Sequence, residues 1–237
     1  MKKLVLTVLC LPALCLSVLA QSTPSADEVM DKYLVAIGGK DLLATINTLT
    51  VDMSTEMQGN TMIMTRKQVA PNKFSQVGYA NGMELFKMVS DGSKVAMVSP
   101  RGNQTMEGAQ AQQAILMNML FPEMQLAKMG VKSTVAGSEK VNGKDAYKVT
   151  HTTADGAITW SDFYDAASGL KVQTVSMMRT PQGEREQAIL YADYKDFKGL
   201  KYPTTITQGS GQFQRQSTVD KVKINDKVKD SDFAVAQ

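Results

Sequence analysis

Hydrophobic positions follow a helical period near the start of the chain and a period of two over most of the rest. Ser25 and Glu28 form a capping box, and the apolar residues of Val29–Ile37 keep the helical spacing up to a pair of glycines. The pattern predicts one helix here and a further short helical segment over 40–46. From residue 48 onwards apolar and polar residues alternate, which indicates strands.

The alternating segments are separated by turn signals such as Asn81-Gly82 and Asn142-Gly143. These signals recur about every 8–12 residues, which is the spacing typical of an antiparallel sandwich or barrel. The pattern therefore predicts a mainly β domain with a helix at its start.

One segment interrupts the alternation. The residues from Met106 to Phe121 are rich in Ala, Gln, Leu and Met, and Pro122 ends the run. A second short helical segment is predicted over Glu123–Met129. Two interpretations remain open for this insertion: a helix packed on the sheet, or a lid over a cavity.

The N-terminal residues have the three-part layout of a secretory signal. A basic start at Lys2-Lys3 precedes an apolar run over Leu4–Leu19, and the chain becomes polar at Gln21. We therefore expect a signal peptide over 1–20 and a single soluble domain over 21–237, in the periplasm. An N-terminal anchor is the alternative.

Composition argues against several classes of function. The chain has 26 Lys and Arg against 23 Asp and Glu, with no concentrated basic stretch of the kind that binds nucleic acid. Cys10 and Cys15 both fall in the predicted signal, so the mature domain would have no disulfide or cysteine-bound metal. His151 is the one histidine, and the sequence lacks a zinc-hydrolase motif, a nucleophile elbow and a phosphate-binding loop. We expect no metal, no cofactor and no catalysis, and keep a spatial carboxylate or Tyr/His site as the enzymatic alternative.

Methionine is the unusual component, with 16 residues in the chain. Its flexible and polarisable side chain suits apolar surfaces that must adapt to variable shapes. An ordinary core filled with methionine is the simpler interpretation, and an apolar cavity that binds a ligand is the alternative. The residues predicted to line that cavity are Val51, Met53, Met57, Met62, Met64, Leu116, Met119, Leu120 and Trp160.

Several short motifs follow one another along the predicted domain. They are Ala26–Tyr33 with Gly38-Gly39, Pro71–Phe74, Val89–Lys94, Gly143–Val149, Phe163–Asp165 with Ser168–Leu170, and Tyr191–Tyr194 followed by Gly199–Pro203. In this order and spacing they resemble the LolA-like family of periplasmic outer-membrane lipoprotein-sorting carriers.

The resemblance implies a fold and a function. The fold would be a strongly curved antiparallel sheet, an incomplete half-open β-barrel, with the N-terminal helix and the 106–129 insertion as a lid. The function would be that of a carrier or chaperone for lipoprotein acyl chains or another lipid, with a membrane-associated donor or acceptor protein as partner. A non-catalytic envelope sensor or protein-interaction module on the same scaffold is the alternative. In the lipoprotein carriers an arginine before the proline of the Pro71 motif helps to latch the lid, whereas Ala70 stands here.

Overall fold

The computed structural model of the protein describes residues 23–57, 59–180, 183–209 and 214–235, and only the backbone of 178–180. The predicted signal peptide and both cysteines lie outside these residues. Within them, the helices are α1 (Ala26–Ala36), α2 (Lys40–Ala44) and α3 (Gly108–Asn118), with short 3₁₀ turns at Pro122–Met124 and Asp230–Phe233.

The predicted capping box fixes the start of α1. The Glu28 backbone N–H donates to the Ser25 hydroxyl over 3.2 Å, and the Ser25 N–H donates to the Glu28 carboxylate over 2.7 Å. At the other end, Gly38 has φ +141 and a Cβ there would lie 2.7 Å from the Gly199 carbonyl oxygen. The glycine therefore lets the chain leave α1 in close contact with the sheet.

The strands of the described residues form one antiparallel sheet in the order β6-β5-β4-β3-β2-β1-β13-β12-β11-β10-β9-β8-β7. Because β6 and β7 are both edges, the sheet is an incomplete barrel, as the resemblance implied. The strands are β1 (Thr48–Met57), β2 (Asn60–Val69), β3 (Lys73–Ala80), β4 (Met83–Ser90), β5 (Val95–Ser99), β6 (Gly102–Met106), β7 (Lys132–Val141), β8 (Lys144–Thr152), β9 (Thr159–Asp165), β10 (Lys171–Thr180), β11 (Gly183–Phe197), β12 (Leu200–Gln208) and β13 (Arg215–Ile224).

The insertion differs from its prediction at both ends. Its first predicted residue, Met106, instead ends strand β6 (Gly102–Met106), which the sequence pattern did not predict because the segment does not alternate. Pairing with β5, from Val95 opposite Met106 onwards, supplies the hydrogen bonds that local propensity does not. The predicted second helix over 123–129 is a 3₁₀ turn followed by successive turns, and Phe121 just before it adopts a left-handed φ of +47.

The three helices lie on one face of the sheet, which we call the inner face. Leu34 and Ile37 of this helical layer pack with Val51 and Met53 of β1 and with Leu120 of the insertion in one buried cluster. A second cluster joins α1 and the insertion to β8 and β9. The core therefore lies between the inner face and the helices.

The C-terminal segment covers part of the opposite, outer face. Phe233 is buried and packs with Val89 of β4 and Ala96 of β5. These two residues alternate with Met88 and Met97 on the same strands, so they point away from the helices. A hydrogen-bonded ion pair of 2.8 Å between Lys67 and Asp232 fixes the segment further.

We expect Phe233→Ala to lower the free energy of unfolding by about 3–5 kcal/mol, because it leaves a cavity under the C-terminal segment. Urea denaturation followed by far-UV circular dichroism measures the change. Lys227→Ala, at an exposed position of the same segment, is the control and should change stability by less than about 0.5 kcal/mol. Equal effects of both substitutions would contradict a buried anchor at Phe233.

Candidate functional site

Strands β1 and β2 bring the methionines of the first hairpin to the inner face. Met53 lies opposite Met64, and Thr55 lies opposite Met62. Met53 and Met64 both belong to the cluster that contains Leu120 of the insertion, so this row of side chains points towards the helices. The alternation in the sequence was therefore sufficient to assign the face.

The predicted lining residues separate into two buried groups and a half-buried one. Val51, Met53 and Leu120 are buried in one core cluster, whereas Leu116, Met119 and Trp160 are buried in the other. Met64 is half-buried at the edge of the first cluster, and Met57 and Met62 are half-buried and belong to neither. Side chains of α1 and of the insertion fill the space beside the six buried residues, and the other three border more open space.

We call residues 118–124, which cross the inner face from β2 and β3 to β9 and β10, the strap. At its start, the Gln68 side-chain amide donates to the carbonyl oxygens of Asn118 and Met119 over 2.7 and 3.3 Å. The Gln76 amide donates to the Asn118 side-chain oxygen over 2.5 Å. Although position 70 carries alanine, two nearby glutamines thus connect this end of the strap to the sheet.

The other end of the strap is connected by charge. Glu123 is buried and forms an ion pair with the ammonium group of Lys171 on β10. The Tyr164 hydroxyl of β9 donates to the same carboxylate over 3.2 Å. The strap is therefore bonded to both halves of the curved sheet.

Lys171 also contacts a second buried carboxylate, Asp162, over 3.3 Å. Burial by itself raises the pKa of Asp162, but the positive charge of Lys171 and the nearby His151 outweigh burial and hold that pKa below its usual value. Burial likewise favours a lower pKa for Lys171, but Asp162 and Glu123 outweigh it and hold the Lys171 pKa well above its usual value. Both charges are therefore stable at neutral pH.

Neutral groups complete the surroundings of Asp162. The Thr174 hydroxyl donates to it over 2.5 Å, and the Trp160 indole N–H donates over 3.3 Å. The ammonium group of Lys171 lies 5.3 Å from the ring centre of Tyr33, which adds a cation–π contact. This network was not predicted, although an acidic residue at an inward position between Trp160 and Tyr164 is a visible departure from an apolar alternation.

His151 is fully buried and stacks on Trp160, with ring centres 4.9 Å apart. A hydrogen bond of 2.8 Å joins its Nδ1 to the Ser133 hydroxyl, and its Nε2 lies 3.4 Å from Asp162. Nε2 itself is buried and has no hydrogen-bond partner among the described residues. Because solvent does not reach the imidazole, this Ser–His–Asp arrangement has no access for a substrate in this structure.

Two clefts flank α3. The larger, of about 540 Å³, lies between α3, the β4–β5 turn and the end of β6, and the smaller, of about 200 Å³, lies on the side of β7. The larger volume falls in the usual range of ligand sites. Of the predicted lining residues, Leu116 borders both clefts. Its apolar neighbours in the larger one are Met106, Ala111, Ile115 and Met129.

The described residues contain no group of three or more His, Cys, Asp or Glu side chains that could hold a metal ion. None of the helices in this part of the chain is long and apolar enough to cross a membrane.

Comparison with solved structures identifies a LolA-like fold. A LolA superfamily protein from Nitrosomonas europaea matches with a TM-score of 0.58 and 12% identity, over 90% of this chain and 99% of that chain. A putative outer membrane lipoprotein-sorting protein domain from Vibrio parahaemolyticus matches with a TM-score of 0.55 and 10% identity, over 88% and 95%. A DUF1329 family protein from Desulfovibrio piger matches with 0.56 and 10%, over 90% and 98%. The sequence matches no family model and no curated protein.

We expect Glu123→Gln to lower the free energy of unfolding by about 3 kcal/mol, because it removes one partner of a buried ion pair. Urea denaturation at neutral pH measures this loss. Glu139→Gln is the matched control, because Glu139 pairs with Lys148 over 3.0 Å at the surface, where such a pair contributes at most about 1 kcal/mol. Equal losses in the two variants would contradict the role given to the buried pair.

The depressed pKa of Asp162 predicts a loss of stability in acid. Below about pH 4 the unfolded chain takes up a proton at Asp162 whereas the folded chain does not, so acid favours unfolding in that range. The contribution is complete above that range and is lost as the pH falls towards the folded pKa. Urea midpoints measured between pH 5 and pH 2 should fall less steeply in Asp162→Asn than in the native protein, and identical slopes would refute the assignment.

Proposed function

We propose that the protein is a periplasmic carrier that binds lipid or lipoprotein acyl chains against the inner face of its sheet, without catalysis. One observation carries the proposal: a set of half-buried apolar side chains, mainly methionines, lies on the helix-bearing side of β1 to β5. We call this set the methionine band. It consists of Met57, Met62, Met64, Phe86, Met88 and Met97.

Strand register supports a continuous band. Met88 lies opposite Met97, and both are in the cross-strand row that begins at Val51. In the next row Phe86 lies opposite Gly78, and its ring occupies the space that a side chain at that glycine would need. Gly78 in turn lies opposite Met64. The apolar side chains therefore form neighbouring rows across adjacent strands.

The chemistry of the band suits an acyl chain. Methionine adapts to different apolar shapes, so one surface can accept chains of differing length and saturation. Each methylene removed from water contributes about 0.8 kcal/mol, so ten methylenes give roughly 8 kcal/mol before the cost of association. No covalent step is needed for a carrier of this kind.

The strap gives the carrier a way to exchange its cargo. Leu120 is buried against the core residues of the inner face, in the space that the predicted cavity would need. The hydrogen bonds that the Gln68 and Gln76 side-chain amides donate to the strap can break and re-form. The larger cleft begins beside the same insertion, at Ile115 and Leu116. On this proposal an incoming acyl chain enters beside α3 and displaces the side chains of the strap.

The LolA-like fold supports the proposal by analogy, since one matching structure is named as a lipoprotein-sorting domain. A signal peptide over 1–20 would deliver the domain to the periplasm, where such cargo passes between membranes. A membrane-associated donor or acceptor protein would then be its partner.

A non-catalytic interaction module is the second candidate, because the outer face also exposes apolar side chains. Ile63 of β2 lies opposite Tyr79 of β3, and both are exposed. A protein partner could cover these side chains without using the inner face.

Adjacent residues on opposite faces allow a direct test. The protein is purified after export, stripped of lipid, and titrated with a fluorescent fatty acid and a fluorescent diacylated lipopeptide. We expect Met64→Glu to weaken binding at least tenfold, because the bound acyl chain would bury the introduced carboxylate against apolar surface. Ile63→Glu introduces the same charge on the outer face and should leave the affinity unchanged.

Mass spectrometry of an organic extract of the protein as purified gives a second measure, and we expect a lipid in it. If the extract contains no lipid and neither probe binds, the carrier proposal is wrong. If Ile63→Glu abolishes capture of a protein partner while the inner face stays empty, the interaction module is favoured instead.

A further inference from the structure

Arg66 on the inner face has no ion-pair partner among the residues that the structure describes. Arg66 is in the middle of β2, between Met64 and Gln68 on the same side of the strand. Its Nε is buried and has no hydrogen-bond partner among the described residues, and its guanidinium forms no ion pair with a described carboxylate. By contrast, the buried Lys171 contacts two carboxylates on the same face.

The neighbours of Arg66 are apolar or already engaged. Val51 lies opposite it on β1, and Gln76 lies opposite it on β3. The Gln76 amide already donates to Asn118 of the strap. Beyond Gln76 the same row continues into Met88 and the rest of the methionine band.

The charge of Arg66 also affects Tyr191, which lies on β11 across the inner face. Burial raises the pKa of Tyr191 on β11, and the charge of Arg66 is among the effects that partly offset this rise. Three strands, β1, β13 and β12, separate β2 from β11 in the sheet. Arg66 therefore influences the far wall of the inner face and not only its own strand.

We expect an arginine in such surroundings to bind an anion. Partly buried charges are normally paired, because desolvation is expensive unless an opposite charge and hydrogen bonds compensate for it. The planar guanidinium presents paired N–H donors that match a carboxylate or a phosphate group. None of the described side chains supplies that anion, which leaves the guanidinium available to the anion of a ligand.

We infer that Arg66 binds the anionic head group of the cargo, a carboxylate or a phosphate, while the acyl chain lies along the methionine band. The inference rests on the proposed function and adds to it the chemical class of the cargo: an anionic amphiphile rather than a neutral lipid. Met64 and Met88 would contact the first methylenes next to the head group. The more open Met57 and Met62 would contact the rest of the chain.

Matched ligands and matched variants test the inference. The protein, stripped of lipid, is titrated with hexadecanoate and with hexadecanol, which have the same chain and differ in the charge of the head group. We expect the native protein to bind the carboxylate at least about tenfold more tightly, as a charged hydrogen bond predicts. In Arg66→Gln the preference should disappear while affinity for the alcohol is kept.

Arg101→Gln is the control variant, because it removes the same charge from an exposed turn between β5 and β6. It should keep the preference for the carboxylate. Arg66→Lys keeps a positive charge without the paired donors and should retain part of the preference. Circular dichroism of each variant checks the fold. If Arg66→Gln does not fold, a reduced preference for the carboxylate in Arg66→Lys supports the role of Arg66, and an unchanged preference refutes it.

Inorganic phosphate and acetate distinguish a lipid head group from a free anion. Neither should compete with hexadecanoate at concentrations well above that of the lipid. Competition by phosphate alone would overturn the head-group assignment.

The outcomes for the two proposals are separate. If neither hexadecanoate nor hexadecanol binds the native protein, the carrier function itself fails. If both bind equally, or if Arg66→Gln keeps the preference for the carboxylate, the role of Arg66 is refuted and the carrier function remains.

Discussion

The contact between Glu123 and Lys171 is the interaction on which the arrangement of the inner face depends. Glu123 belongs to the strap, and Lys171 begins β10, so their ion pair joins the insertion to the half of the sheet opposite β2 and β3. Lys171 also contacts Asp162, and the tyrosine rings beside it exclude water. Within the described residues the sheet is open between β6 and β7, so the strap, rather than a closing strand, bridges the two halves.

The two halves of the inner face differ in chemistry. Beside β8 to β10 the face is buried and charged, with every carboxylate paired and the histidine enclosed by Trp160 and Ser133. Beside β1 to β5 the methionine band is half-buried and apolar, and Arg66 forms no ion pair there with a described residue. The first half fixes the strap in place. The second half provides the surface on which the carrier proposal rests.

Sequence patterns predicted most of the individual elements and the sides of the strands. The capping box at Ser25 and the alternation of β1 and β2 appear in the structure as they do in the sequence, because both are determined by residues a few positions apart. Strand β6 was not predicted, since it depends on pairing with β5, and the segment after Pro122 forms turns where a helix was predicted. The ligand role of the nine predicted residues stays a prediction.

The sequence by itself determined which side chains share a face, because the two-residue period of a strand is a local property. It also indicated a LolA-like domain through the order of its turns. Only the tertiary structure decided which of those side chains are enclosed by α1 and the strap and which stay half-exposed. It alone brought Glu123, Asp162 and Lys171 together, and it alone left Arg66 without a counter-ion in the part of the chain that the structure describes. Pairing of charges depends on distance in space, and residues far apart along the chain become neighbours only when the sheet curves and the strap crosses it.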